Sequence, residues 1–364
     1  MAKAEKKKMK WYYKLIIIVL SVILAGAALL AGIGALVYEQ FFGIRYETYA
    51  PYAFHTEDFE GLMCADYEFT SDAGQKLAGY LYHKGDGEAK GLIVFAHGLG
   101  GGGHNSYMDG IAYMVQNGYY VFAYDVTGND NSEGDSVKGL PQGVIDLQYA
   151  LEFLDKQEEF YHLPVMLIGH SWGGYSVTNV LNYYPDVRAV VSMAGFDTSI
   201  DLIYSFGLEF AGEAGMNIML PVMKAYEKLK FGDYAESTAM NGFANSEAAV
   251  MVIHSDDDET VPQKYGYDIW YEKYGGDPRF TFVQLTGQGH NDFLNGEDRS
   301  VYTEEFNAEF EKYRDSLPED IAEENFETLK IDYINKNLDR ERWCNGVNTE
   351  LFDEIIAFFD ANLD

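Results

Sequence analysis

"LIGHSWGGYSV", residues 167–177, decides how this chain is read. It contains Gly169, His170, Ser171, Trp172 and Gly173, the pattern G-x-S-x-G. An apolar run, "VMLIGH" (165–170), leads into it, and a helical stretch at about 172–183 leads away. A nucleophile elbow needs that strand-turn-helix context: small flanking residues let a strained turn close with the serine oxygen raised above a sheet. A hydroxyl is a poor nucleophile until a base takes its proton. The reading therefore demands a histidine and an orienting acid further along the chain, in the order serine, acid, histidine.

Only two of the eight histidines, His254 and His290, follow Ser171. His254 lies inside an apolar strand, "AVMVIHS" (249–255), and reads as a structural histidine. His290 follows a strand in the glycine-flanked "LTGQGHNDF", and a loop at a strand's C-terminal end suits a catalytic base. Between Ser171 and His290, "IHSDDDETVP" (253–262) offers Asp256, Asp257 and Asp258 at a strand end. Spacing before Val261-Pro262 favours Asp258, with Asp197 in "AGFDTS" as the runner-up.

The other apolar runs set the fold class. "GLIVFAH" (91–97), "YYVFAYD" (119–125), "AVVSMAG" (189–195) and "FTFVQLTG" (280–287) join the two strands above. Such continuous runs suit strands buried on both faces. Helical stretches such as "YMDGIAYMVQNG" (107–118) and "GVIDLQYALEFLDKQ" (143–157) separate most of them. Alternation of this kind predicts an α/β fold, a mostly parallel central sheet with helices on both faces. A β-hairpin over 67–85, turning at Asp72-Ala73-Gly74, precedes it. Two segments interrupt the alternation: an apolar helical lid insertion at about 198–246, and an acidic helical insertion at about 294–348. "LFDEIIAFFDANL" (351–363) reads as an amphipathic closing helix.

"HGLGGGGHNSY" (97–107) admits a rival reading. Gly98, Gly100 and Gly103 satisfy G-x-G-x-x-G after a strand, and Asp125 ends the next strand, as in a dinucleotide-binding unit. A hairpin opens the domain instead of that unit, and the rival leaves Ser171 and His290 without a role. The same glycines also suit a backbone turn whose N–H groups face a developing oxyanion.

With these motifs in this order, the sequence resembles the α/β-hydrolase superfamily over about residues 65–293 plus the last helix. It looks most like bacterial monoacylglycerol lipases, carboxylesterases and prolyl aminopeptidase-like serine hydrolases. The matching stretches are "FTSDAGQKLAGYLYHKG", "IVFAHGLGGG", "AYDVTGNDNSEGDS", "LIGHSWGGYS", "VIHSDDDETVP" and "GQGHNDF". The resemblance implies Ser171 as nucleophile, Asp258 as acid, His290 as base, and an oxyanion hole from the amides of Leu99 and Trp172. It implies a small-molecule acyl substrate and no cofactor or metal; the sequence itself has no metal-ligand spacing. Two places depart from the family pattern: Thr127 stands where arginine is usual, and Ser255 replaces the glycine of H-G-x-x-D. Ester hydrolysis is the first expectation, because the 198–246 segment carries Ile203, Phe206, Leu208, Phe210, Met216, Met219 and Met223. A serine aminopeptidase-like peptidase is the alternative, and a binding protein on an inactive scaffold is the alternative of another class.

Composition places the domain. "LIIIVLSVILAGAALLAGIGALV" (15–37) carries no charge, and twenty-three helical residues span about 34 Å, enough for a hydrocarbon core of about 30 Å. Aromatic residues flank it on both sides, and six lysines before residue 15 hold the N-terminus in the cytoplasm. The expectation is a cytoplasmic basic tail (1–14), a transmembrane helix (15–37) in contact with the lipid bilayer, an irregular tether (38–60) and an extracytoplasmic hydrolase domain (61–364). A cleaved signal peptide is the competing reading, and export follows from both. Net charge is −32, and residues beyond 38 hold 57 acids against 20 bases. That surface repels nucleic acid and anionic headgroups. Cys64 and Cys344 are the only cysteines, and one disulfide is open to an exported domain.

Overall fold

The computed structural model describes residues 10–85, 87–318 and 321–364. Lys3, Lys6, Lys7 and Lys8 of the basic tail lie outside them.

Eight strands form one sheet in the order β1-β2-β4-β3-β5-β6-β7-β8. β1 (Met63–Thr70) and β2 (Lys76–His83) are the hairpin read from the sequence, and β2 also runs antiparallel to β4 (Tyr120–Tyr124). β3 (Leu92–Ala96), β4, β5 (Val165–His170), β6 (Ala189–Met193), β7 (Ala249–Ser255) and β8 (Phe280–Leu285) are mutually parallel. The strand pleat sends alternate side chains to opposite faces. Val94, Phe122, Leu167, Val190 and Val252 enter one core layer. Ile93, Val121, Ile168, Val191 and Ile253 enter the other. Because both faces are covered, the central strands read as unbroken apolar runs.

α2 (Met108–Gln116) and the closing helix α11 (Thr349–Asp360) cover the second layer. α11 does so with Leu351, Phe352, Ile355, Ile356 and Phe359, the spacing of one helical face. α3 (Leu140–Leu154) and α4 (Trp172–Asn179) cover the first, together with residues of α5 (Ser199–Phe231), α6 (Ala239–Asn245) and α7 (Tyr267–Tyr274).

α1 (Trp11–Phe42) is longer than the 15–37 stretch, and it is the one helix among the described residues long and apolar enough to cross a membrane. Its C-terminal turns rest on the domain, where Tyr38 and Phe42 are buried. The segment after it is irregular but pinned: the Tyr46 amide donates to the Gly128 carbonyl at 3.0 Å, and the Thr48 hydroxyl to Asp130 at 2.6 Å.

α5 (Ser199–Phe231) is two limbs, 199–211 and 213–231, broken at Gly212, whose φ is +61°. The limbs fold back on each other. Ser199 Oγ donates to Glu227 Oε2 at 2.6 Å, although a straight helix would hold 28 residues about 42 Å apart. Tyr38 Oη donates to the other oxygen, Glu227 Oε1, at 2.9 Å, so the hairpin is tied to α1. Burial pushes the Glu227 carboxyl up to about 7.

The acidic segment folds as α8 (Glu297–Asp315), α9 (Glu323–Asn337) and α10 (Arg340–Cys344). Arg299 fixes it to the domain: its guanidinium donates to Asp109 Oδ2 at 3.2 Å and the Trp343 carbonyl at 2.6 Å, and it stacks 4.0 Å over the Trp343 ring. Cys64 and Cys344 are both free thiols.

Candidate active site

Ser171 stands between β5 and α4 with φ 56° and ψ −114°, a conformation few non-glycine residues adopt. The two glycines of the motif make that turn possible. A Cβ on Gly173 would lie 1.9 Å from the Ala96 carbonyl oxygen, and one on Gly169 would lie 2.4 Å from the Gly173 carbonyl. Each would be a collision with backbone.

Ser171 Oγ donates to His290 Nε2 at 2.9 Å, and His290 Nδ1 donates to Asp258 Oδ2 at 2.7 Å. The other oxygen of Asp258 accepts from the amides of Thr260 (2.9 Å) and Val261 (2.8 Å). Burial alone would raise the Asp258 pKa. Hydrogen bonds from His254 and His290, the charge on His290 and the Val261 amide outweigh it and hold the carboxyl well below the usual carboxylate range. The structure thus brings Ser171, Asp258 and His290 into one chain of hydrogen bonds, drawn from the ends of β5, β7 and β8. Such a chain fixes the base tautomer that accepts a serine proton, and a permanent carboxylate stabilises the imidazolium that results.

Asp197 is placed elsewhere. Its Oδ1 accepts from Trp270 Nε1 at 3.0 Å and the Met240 amide at 2.9 Å. His254 is buried, and its Nε2 donates to the Val261 carbonyl at 2.7 Å, behind the acid. Leu99 follows β3 in the glycine turn, and Trp172 opens α4 beside Ser171. The dinucleotide reading fails on Asp125. It is fully buried and accepts from the His104 ring (2.8 Å) and amide (3.1 Å) and from Tyr80 (3.2 Å), which leaves nothing for a ribose.

Several contributors were not visible in the sequence. Asp256 and Asp257 accept from the amides of Gly287 (3.0 Å) and Gly289 (2.9 Å), and Ser255 Oγ accepts from the Gln288 amide (2.9 Å). The residue that departs from the H-G-x-x-D pattern therefore pins the loop carrying His290. On the far side of that loop, Asn348 Nδ2 donates to the Phe293 carbonyl (2.9 Å), so the end of the acidic segment braces it.

Tyr107 and His170 form a second relay. The Gly98 amide donates to Tyr107 Oη (3.2 Å), Tyr107 Oη to His170 Nδ1 (3.0 Å), and His170 Nε2 to the His290 carbonyl (2.9 Å). Burial, reinforced by the charge on His290, pulls His170 down to about 3, so it stays neutral. The relay joins the turn before Leu99 to the base. Tyr107→Phe strands two buried polar groups, at a cost of roughly 1–3 kcal/mol. We expect kcat to fall about tenfold, since about 1.4 kcal/mol is a factor of ten, with KM within a factor of about two. Steady-state kinetics on one ester checks this, and an unchanged kcat would remove Tyr107 from the positioning machinery.

Comparisons agree with this architecture. A family model described as serine aminopeptidase, S33, matches residues 87–219, which include Ser171 but end before Asp258 and His290. The acylamino-acid-releasing enzyme of Rattus norvegicus is 24% identical over 195 residues, covering 49% of this chain and 25% of that protein. Monoglyceride lipase of Mus musculus is 33% identical over 95 residues, covering 26% and 30%. The chain thus spans less than a third of the length of these curated relatives. Among solved structures, an esterase of Pyrococcus furiosus aligns with TM-score 0.52 at 14% identity, covering 71% of this chain and 93% of that one. The acylaminoacyl peptidase of Pyrococcus horikoshii gives TM-score 0.52 at 16% identity, covering 84% and 43%. The sheet order, the crossovers and these likenesses define the α/β-hydrolase fold.

Proposed function

We propose that the protein is a membrane-anchored serine hydrolase that cleaves acyl esters, and the observation that carries this is the Ser171–His290–Asp258 chain of bonds at a strained elbow. Ser171 Oγ attacks the acyl carbonyl while His290 Nε2 takes its proton. The amides of Leu99 and Trp172 hold the oxyanion, each worth on the order of 3 kcal/mol. His290 then protonates the departing alkoxide, leaving an acyl-serine, and a water deprotonated by His290 releases the acid. α1 is the anchor. The lysines before it place the domain outside the cytoplasm by the positive-inside rule.

The ester assignment rests on the apolar and thioether side chains of the α5 hairpin. Burying an alkyl chain contributes roughly 0.8 kcal/mol per methylene. Lengthening a p-nitrophenyl ester from about two to six or eight carbons should therefore raise kcat/KM at least tenfold. Such esters should be cleaved at least tenfold more efficiently than proline or alanine p-nitroanilides. The second reading is a peptidase acting on aminoacyl or acylaminoacyl substrates, favoured by the S33 match and the acylamino-acid-releasing relatives. Strong anilide turnover with no gain from acyl length would promote it and leave the Ser171 mechanism in place. A fluorophosphonate probe that fails to label Ser171 would instead favour a binding protein.

A further inference from the structure

The α5 hairpin reaches alongside α1 to a depth that the anchored reading gives a meaning. If residues 15–37 span the hydrocarbon, its outer boundary lies near Val37, and Gly34 sits about 4.5 Å inside it. The second limb of α5 packs against Gly34 so closely that a Cβ there would meet Val222 Cγ1 at 2.7 Å and Met219 Cε at 3.5 Å. The hairpin therefore reaches the hydrocarbon boundary through Met219 and Val222 of that limb. Its outward side chains suit that position: Phe210 is 75% exposed and Ile218 59%, and Phe210 meets Phe41 of α1 edge-on, centroids 5.7 Å apart. Glu209 and Glu213, exposed near the tip, keep it at headgroup level. A depth of 5–10 Å is usual for interfacial helices.

Between hairpin and anchor is a cavity of about 190 Å³. Ile33, Val37 and Phe41 wall it from α1, and Phe206, Met219 and Met223 from α5. The one hydroxyl on its wall, that of Tyr38, is already engaged by Glu227. A cavity so lined holds water poorly, whereas an apolar cavity of about 150 Å³ takes a benzene molecule. Thioether walls adapt to a flexible chain.

We propose that this cavity takes one acyl chain of a bilayer lipid, drawn directly from the leaflet into which the hairpin dips. The proposal rests on the membrane-anchored reading. The occupant is a bilayer lipid, because one wall is the membrane helix itself, from Ile33 and Val37 at the end of the span to Phe41 just beyond it.

The full chain in nanodiscs tests it, with phosphatidylcholine carrying a diazirine high on one acyl chain as the probe and labelled peptides mapped by mass spectrometry. Residues 203–223 should be labelled along with α1. Met219→Trp, which fills the cavity, and Ala211→Trp, at its exposed rim should the first variant fold poorly, should each cut the 203–223 label at least fivefold. Leu229→Asn, on the exposed outer end of α5, should leave it unchanged. Label on α1 with none on 203–223, or undiminished label in both filled variants, would overturn the cavity and leave the anchor standing. An unlabelled α1 would overturn the anchor and the cavity together.

Discussion

Ser171→Ala should lower kcat on any substrate of this protein by on the order of 10⁶-fold, as when the nucleophile of a triad is removed, and abolish fluorophosphonate labelling. The fold should be unaffected. Ser171 Oγ has His290 Nε2 as its partner, and that ring borders the open site, so no buried group is left stranded. Alanine also inherits the same φ of 56°, so backbone strain is neither added nor relieved. Ser171→Gly separates the two effects. It should be equally inactive yet more stable, by about 1 kcal/mol, because glycine adopts that conformation freely. Melting temperatures and active-site titration on the three proteins check this. A well-folded Ser171→Ala protein with full activity would end the proposed mechanism.

The parts of the fold legible in the sequence are those where one physical demand acts locally. β3, β5 and β6 are buried on both faces, so each announces itself as an unbroken apolar run. The elbow is legible because the turn closes only when both flanking positions lack a Cβ, as the approach of Ala96 to Gly173 shows. The order of the remaining candidates then narrows the acid and base to strand ends.

What the sequence concealed depends on contacts between distant residues. Tyr107 and His170 lie 63 residues apart, and nothing near either one marks the bond between them. Ser255 looked like a lapse from a family pattern until its bond to the Gln288 amide gave it work. The 38–60 stretch lacks periodicity, yet it is pinned to the 128–137 loop by backbone bonds that no side-chain pattern encodes. The reversal at Gly212 was equally hidden, because Gly207 and Gly215 flank it and nothing local singles out which of the three glycines turns the chain.

Asp258→Asn should be the next most damaging change, lowering kcat by about 10⁴-fold. The reason is tautomeric. Two amides, of Thr260 and Val261, donate to one oxygen of Asp258 and would fix the retained oxygen of an asparagine on that side. Its NH₂ group would then face His290 Nδ1, which donates to the carboxylate today. His290 would have to accept at Nδ1 and carry its proton on Nε2, directed at Ser171, where it cannot act as a base. Asp256→Asn and Asp257→Asn keep an acceptor for the Gly287 and Gly289 amides, and each should cost less than about tenfold, acting only through the loop. Asp197→Asn should leave kcat within a few-fold, because its donors are Trp270 and Met240 and the base is not among them. Burst and steady-state kinetics on one ester across the four variants decide between these carboxylates. A crippled Asp197→Asn beside an active Asp258→Asn would move the acid one strand earlier and leave the Ser171–His290 pair to be explained without its present anchor.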